Sequence, residues 1–540
     1  MKQPISRRWP ASGIAITLLL LAPVAALLQQ GLLPASEVFT ELASSVLGDY
    51  IANTVAMVVL VGLGSALLGV PAAWLVAMCQ FPGQRQLQWA LLLPLAMPAY
   101  LVAYVYTDLL DYAGPVQRAL RHVFGWSSPS DYYFPEVRSL GGAALMLALV
   151  LFPYVFMLAR TAFLEQAGNL MQASRTLGCS PWQSFVRISL PLARPAIVVG
   201  IALVAMETMA DFATVNYFAV NTLTTAVYDV WLDYGSLSAA ARLSCLMLLG
   251  VLLLIGLERR GRAQQKLFQR GDSNQRFDPY RLRGWRGWLA CGYCVLLLSL
   301  SFAVPAAILL DYAIAYLDWA QLDKFWQFSS NSLFVAASVA VLTITVALLL
   351  QFLARLEVAQ WPAQLAGFGY ALPGTVLAIG VLIPLTWLDY RINDVAQWLA
   401  QPLPGLVLSG SMVALLFGYT VRFLAVALGS VEASYKRINP SLDMAAATMG
   451  CGPGATLKRV HLPLLRRGLL TAAVIVFMES MKELPAALLL KPIGFETLAT
   501  YVYQFVSDEA LELGALPALV IVIAGLLPVW LLNRSLEQTH

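Results

Sequence analysis

The stretch QASRTLGCSPWQSFVRISLP, Gln172–Pro191, has a second copy in the same chain, MAAATMGCGPGATLKRVHLP, Met444–Pro463. Gly178 and Gly450, Cys179 and Cys451, Pro181 and Pro453, and the closing Pro191 and Pro463 all stand 272 residues apart. Arg187 and Arg459, then Arg194 and Arg466, keep that offset. A spacing held through the whole stretch marks a duplicated unit. Each copy opens on small residues (Ala173 and Ser174; Ala445 and Ala446), where another backbone can come close. Each then offers a glycine suited to the left-handed turn that ends one helix. The final proline is compatible with the first turn of a new one.

Outward from these copies the chain is 59% hydrophobic and 12% charged over 540 residues, which excludes an ordinary soluble protein. Apolar runs longer than ~18 residues recur, each enough to cross a ~30 Å hydrocarbon core. The expectation is an all-α polytopic membrane protein with about twelve transmembrane helices in two six-helix halves. The first spans are read at Trp9–Ser36, Ile51–Gln84, Gln86–Thr107 and Ser139–Ala159, then one from Pro195 and one ending at Leu257. The second six fall near 287–310, 330–353, 363–387, 406–429, 468–490 and 513–533.

Lys2, Arg7 and Arg8 precede the first span and place the N-terminus in the cytoplasm. Further spans follow, so the opening segment is not read as a cleaved signal. Leu257–Arg286 carries nine Lys or Arg against three acids, which makes it cytoplasmic and able to touch anionic lipid. The organisation is then a first half 1–256 (core about 49–256), a basic linker 257–286 and a second half 287–540 (core about 327–533). Asn331-Ser332-Leu333 matches Asn53-Thr54-Val55, and Leu372-Pro373-Gly374 matches Met97-Pro98-Ala99. An even span count puts both copies of the duplicated stretch, and both termini, on the cytoplasmic side. Lys436, Arg437, Lys458, Arg459, Arg466 and Arg467 around the second copy agree.

The net charge of +4 follows topology and argues for no nucleic-acid partner. Cys291 and Cys294 form a CxxC inside an apolar helix without a second pair, and His122, His461 and His540 are scattered. Packing is the better account of that CxxC, and no metal ligands are assigned. Charges inside spans are more telling. Glu207 and Asp211 stand in the fifth span, and Glu479, Lys482 and Glu483 in the eleventh, with the acids again 272 apart. Residues four apart share a helical face. Glu207 and Glu479 follow the re-entry prolines by 16 residues, roughly 24 Å of helix. A charge facing lipid costs at least ~2.5 kcal/mol, so these groups should face the bundle interior. Two readings stand: they line the route of a cation, or they pair with Lys482 and cap backbone where Pro485 breaks the helix. Arg242 and Arg422 are expected to snorkel to the interface, and Lys324, Arg391 and Lys491 to sit on outer loops.

The duplicated stretch resembles the cytoplasmic "EAA" loop of ABC-importer permeases: Glu-Ala-Ala, three residues, Gly, nine residues, Ile, one residue, Leu-Pro. The first copy supplies Gln172, Ala173, Ser174, Gly178, Ile188, Leu190 and Pro191; the second supplies Met444, Ala445, Ala446, Gly450, Val460, Leu462 and Pro463. Neither has Glu first, although Asp443 stands one residue early. MKELPAALLLKP (481–492), TLAT (497–500) and ETMADFATV (207–215) are similar to the fused ferric-iron permeases of bacterial ABC importers.

The resemblance implies a type I ABC importer permease fold in the bacterial inner membrane, with iron(III) as cargo. It implies two copies of a separate ATPase docked on the loops, and a periplasmic iron-binding protein. Acidic interior positions agree with a hard cation, whereas Lys482 would suit an anion. No Gly-x-x-x-x-Gly-Lys-Ser/Thr occurs, so ATP and Mg are expected on the partner, with no catalytic residue and no cofactor in this chain. Rival readings keep the class with thiamine, a polyamine, a sulfate-like anion or an aminophosphonate as cargo. Another makes the carboxylates proton or sodium sites of a secondary transporter.

Overall fold

A bilayer offers no water to backbone amides, so a long apolar chain closes its hydrogen bonds locally, as helices. The computed structural model describes residues 8–34, 36–166, 174, 176–268, 279–316, 322–356, 369 and 372–537, and is helical almost throughout. Its first principal helices are α1 (Arg8–Leu32), α2 (Leu47–Met78), α3 (Ala99–Leu110), α4 (Leu140–Leu164) and α5 (Pro181–Ala210). They are followed by α6 (Ala213–Tyr217), α7 (Leu223–Leu232), α8 (Leu237–Phe268) and α9 (Trp285–Ala315). Then come α10 (Leu322–Arg355), α11 (Gly374–Trp398), α12 (Met412–Tyr435), α13 (Ser441–Thr448) and α14 (Pro453–Lys482). The last are α15 (Pro485–Leu490), α16 (Leu498–Ser507) and α17 (Ala515–Glu537).

Ten described helices are long and apolar enough to cross a membrane, or eleven if the bent pair Gln84–Ala96 and Ala99–Phe124 is one span. The expected third span is therefore not one straight helix. Met97 is extended and Pro98 cannot continue a helix, so the chain turns by 92° there. The expected count of about twelve is not reached among the described residues. The last expected span falls on α17 and the turn before it, where the described apolar stretch, Leu511–Leu527, is short. α8 runs past Leu257 into the basic linker, and the linker's far end is pinned by a two-residue parallel pairing. In it Cys79 lies beside Tyr280 and Gln80 beside Arg281.

The chain forms two compact units. One takes Met1–Glu41, Val227–Leu246 and Ala320–Tyr501; the other takes Leu42–Ala226, Met247–Trp319 and Val502–His540. In the first, α10, α12 and α14 pack against one another and α1 lies on α11. In the second, α2, α4 and α5 pack together and α9 lies on α17. These triangles are the two copies of one design: α4 and α12 start 272 residues apart, as do α5 and α14. The leading helices, α1 and α9, each join the unit built on the other sequence half. Sequence halves and compact units are thus different partitions, one of duplication and one of packing.

The Asn-Thr and Asn-Ser dipeptides do the same work in both units. Asn53 Nδ2 donates to Asn221 O (2.9 Å), and Thr54 Oγ1 accepts from Leu223 N (2.9 Å), at the start of α7. Asn331 Nδ2 donates to Glu496 O (2.9 Å), and Ser332 Oγ accepts from Leu498 N (2.6 Å), at the start of α16. Side chains such as Val55, Val59, Leu63 and Leu67 of α2 stay exposed, as a lipid-facing surface requires.

Helices approach closely only where a side chain is missing. A Cβ on Gly69 would lie 2.9 Å from Phe152 O, and one on Gly200 2.9 Å from Val155 Cα. Gly256 has open space around it. In a helix interior Ala is ordinarily better than Gly by about 1 kcal/mol. Gly256→Ala should therefore hold or raise the thermal unfolding midpoint in detergent. Gly69→Ala and Gly200→Ala should lower it, by an overpacking cost of about 1–3 kcal/mol each. A rise at all three positions would refute this close packing.

Candidate functional site

The two duplicated stretches fold alike. Gly178 and Gly450 have φ of 75° and 77°, the left-handed turn their position calls for. Each is followed by a short helical turn (Pro181–Ser184; Pro453–Thr456) and a π turn (Phe185–Ser189; Leu457–His461) that feeds the long helix. Such π turns favour functional places. In the first copy Ser180 and Gln183 form a reciprocal capping box.

Exposed apolar side chains gather on these turns: Leu177 and Trp182 in the first, Leu442, Met444 and Met449 in the second. Ala446 is buried beneath the second, and Ser174 beneath the first with its Oγ 3.3 Å from Ser184 Oγ. Ile188, Leu190, Pro191 and Val460 are half-buried; Ala445, Leu462 and Pro463 are exposed. Gln172 and Ala173 lie outside the described residues.

The second turn is clamped by side-chain contacts. Asp443 Oδ2 accepts from Arg355 Nε at 2.8 Å, and its Oδ1 lies 2.6 Å from His461 Nε2. Arg355 also donates to Ile438 O (2.9 Å), and Tyr435 OH lies 3.4 Å from the other ring nitrogen of His461. The acid one residue ahead of the family position thus engages this chain's own side chains. Sequence reasoning set His461 aside as scattered. The available signal was its alignment, at the 272 offset, with Ser189.

The membrane carboxylates sit at helix breaks. α5 stops at Ala210 and α14 at Lys482; Asp211 and Glu483 turn out of the helix with ψ of 128° and 119°. The expected stripe on one continuous helix is therefore interrupted: Glu207 and Glu479 lie within helices, and Asp211 and Glu483 are the turning residues. Asp211 accepts from Thr214 N (3.0 Å), Val215 N (3.2 Å) and Thr214 Oγ1 (3.0 Å), capping α6. Glu483 accepts from Ala486 N (3.1 Å), capping α15. Its Oε2 also faces Arg422 Nε at 2.7 Å, in an ion pair rather than an aligned hydrogen bond.

Arg422 does not snorkel as expected. It stays inside, because Glu483 and the carbonyl of Leu372 (3.0 Å) satisfy it there. Tyr419 OH donates to Glu483 O (3.0 Å). A Cβ on Gly374 would lie 2.7 Å from Glu483 Oε1, so the glycine of the Leu-Pro-Gly motif makes room for the carboxylate. Lys482 Nζ pairs with Glu479 Oε1 at 3.1 Å. Among the described residues no three His, Cys, Asp or Glu gather as a metal-holding group.

Ten or eleven described helices long and apolar enough to cross a membrane define a multi-pass membrane protein. Residues 59–260 match the family described as binding-protein-dependent transport system inner membrane component. The molybdenum transport system permease protein ModB of Escherichia coli is 32% identical over 181 residues, covering 32% of this chain and 76% of that one. The Fe(3+)-transport system permease protein FbpB 2 of Haemophilus influenzae is 24% identical over 498 residues, 90% of each chain. A probable sulfate transport system permease of Nephroselmis olivacea is 25% identical over 39% of this chain and 72% of its own. The chain belongs to this family of ABC-importer permeases, multi-pass proteins of the inner membrane that work with a binding protein and an ATPase.

Removing one member of a buried ion pair strands the other, at a cost of about 3–5 kcal/mol. Glu483→Gln and Arg422→Met should each lower the unfolding midpoint in detergent markedly. The double variant should recover part of the loss. Strictly additive losses in that cycle would show that the two charges are not coupled.

Proposed function

We propose that this chain is the membrane-spanning subunit of an ATP-driven importer for iron(III), moving it from periplasm to cytoplasm by alternating access. The observation that carries the reading is the length of the match: the Haemophilus protein named for Fe(3+) transport aligns over 90% of both chains, both halves included. The molybdenum relative covers 32% of this chain.

Two ATPase copies dock on the turns at Gly178 and Gly450, whose exposed Leu, Trp and Met side chains offer an apolar seat. ATP and Mg sit on that partner, and this chain hydrolyses nothing and holds no cofactor. A periplasmic binding protein delivers the ion. Both termini lie in the cytoplasm, and lipid covers the exposed apolar helix faces. ATP-driven closure of the ATPases shifts the population between outward-open and inward-open states through the two turns. The higher identity to the molybdenum protein, 32%, favours an oxyanion as the second candidate cargo.

Proteoliposomes holding this chain, its ATPase and its binding protein should accumulate radioactive iron when ATP is supplied, with molybdate and sulfate failing to compete. Gly178→Trp and Gly450→Trp, each placing a bulky ring on a docking turn, should cut uptake by an order of magnitude or more while the protein still inserts. Accumulation on a proton or sodium gradient without the ATPase would overturn the reading. Molybdate uptake in place of iron would change the cargo alone.

A further inference from the structure

In the unit that contains α4 and α5, at the end of α4 remote from the docking turn, Arg138, Asn216, Tyr217, Tyr503, Ser507 and Glu509 line an open cavity of about 120 Å³. Arg138 Nη1 lies 2.6 Å from Glu509 Oε1, and Nη2 donates to Tyr217 OH at 3.3 Å. The guanidinium sits 4.9 Å from the centre of the Tyr217 ring. Asn216 Nδ2 donates to Tyr503 OH (2.8 Å). Behind Tyr503, Tyr100 meets its ring edge-on at 6.3 Å, and the buried Tyr100 hydroxyl has no hydrogen-bond partner among the described residues. Such an orphan calls for an explanation.

Two features show that the fold does not require this chemistry. At the 272 offset Asn216 and Tyr217 correspond to Leu488 and Leu489, and Arg138 to Gly410, so the duplicate builds the same turn without polar side chains. Glu509 has φ of 57°, a left-handed conformation that glycine would adopt more easily. It is the cap residue that ends α16, with Ala510 N donating to Phe505 O at 2.8 Å, a place where glycine is usual.

The lining supplies two phenols, a carboxylate, a hydroxyl and an amide, oxygen donors that suit a hard cation. The space is far below the ~300–1,000 Å³ of pockets that hold drug-sized organic ligands. The Arg138 guanidinium, itself a cation, already lies against two of these donors, Tyr217 and Glu509.

We propose that this cavity is an entry site for a small ferric ion, with Tyr217, Tyr503 and Glu509 as oxygen ligands and Arg138 as the placeholder the ion displaces. As each Fe–O bond to a tyrosine forms, the phenol proton leaves to water, and iron stays in the ferric state throughout. One carboxylate and two phenols, with an arginine ready to return, make a site that releases as well as binds. The proposal rests on the iron(III) reading and on this end of α4 facing outward.

Titrating the purified permease–ATPase complex with ferric nitrilotriacetate should raise a visible phenolate-to-iron charge-transfer band. Gallium(III) should compete the band away without colour of its own. The band should vanish in Tyr217→Phe/Tyr503→Phe, weaken in Glu509→Gln and persist in Tyr133→Phe, which changes an exposed phenol outside the cavity. Arg138→Gln should tighten apparent binding several-fold. No band in the unaltered complex, or a band that survives the double variant, overturns the site. Uptake separates the two failures. If the unaltered complex carries iron and the double variant carries it with the same KM, only the entry site is wrong. If it carries molybdate and no iron, the iron reading is wrong as well.

Discussion

A helix that stops inside an apolar bundle leaves amides with nothing to bond, and in a bilayer that cost is not relieved by water. Both copies of the duplicated core meet this constraint with a carboxylate. Asp211 turns the chain and caps α6; Glu483 turns it and caps α15. The break lets a long helix rising from a duplicated turn give way to short helices that can be placed independently of it. Around Glu483 the neighbouring helices are arranged to hold that break, with Arg422 and Tyr419 beside it and Gly374 clearing space.

The two breaks are not stabilised equally, and the difference is physical. Glu483 is buried and has a guanidinium against it; the position on α4 that corresponds to Arg422 is Val150. Asp211, half-buried, relies on two amides and a hydroxyl. The duplicated turns differ in the same sense among the described residues, since the Arg355–Asp443–His461 clamp belongs to the second copy. The second copy is thus reinforced with ionic contacts inside the protein, while the cavity around Arg138 and Glu509 draws its ionisable groups from both sequence halves.

Much of this was legible in the chain because duplication writes local structure twice. The 272-residue offset anticipated the left-handed glycines and the matched helices, and Pro485 signalled the break. The role of the Asn-Thr and Asn-Ser pairs was visible only as a repetition. Their partners, Asn221 and Glu496, lie more than 160 residues away. Arg422 was misjudged for a related reason. Snorkelling is the rule for an isolated arginine near a helix end, and nothing local reveals that Glu483 waits inside. The bend at Pro98 was underestimated because the apolar run continues unbroken through it. Packing across the duplication was beyond reach, since α1 joining α11 depends on helix faces that hydropathy alone does not distinguish.

That exchange of leading helices bears on how such a chain can move. Here α1 is packed on the second-half helix α11, and α9 on α17 beside the first-half core. Each unit is therefore tied to the other half by chain that must leave it and return, at Glu41–Leu42, Ala226–Val227, Leu246–Met247, Trp319–Ala320 and Tyr501–Val502. Several of these crossings fall within helices: α7, α8 and α16 each run through one. A helix resists bending except where its hydrogen bonds are already broken. In the described helices that bonding is interrupted at the π turns that follow Gly178 and Gly450 and at the carboxylate-capped breaks at the far ends of α5 and α14.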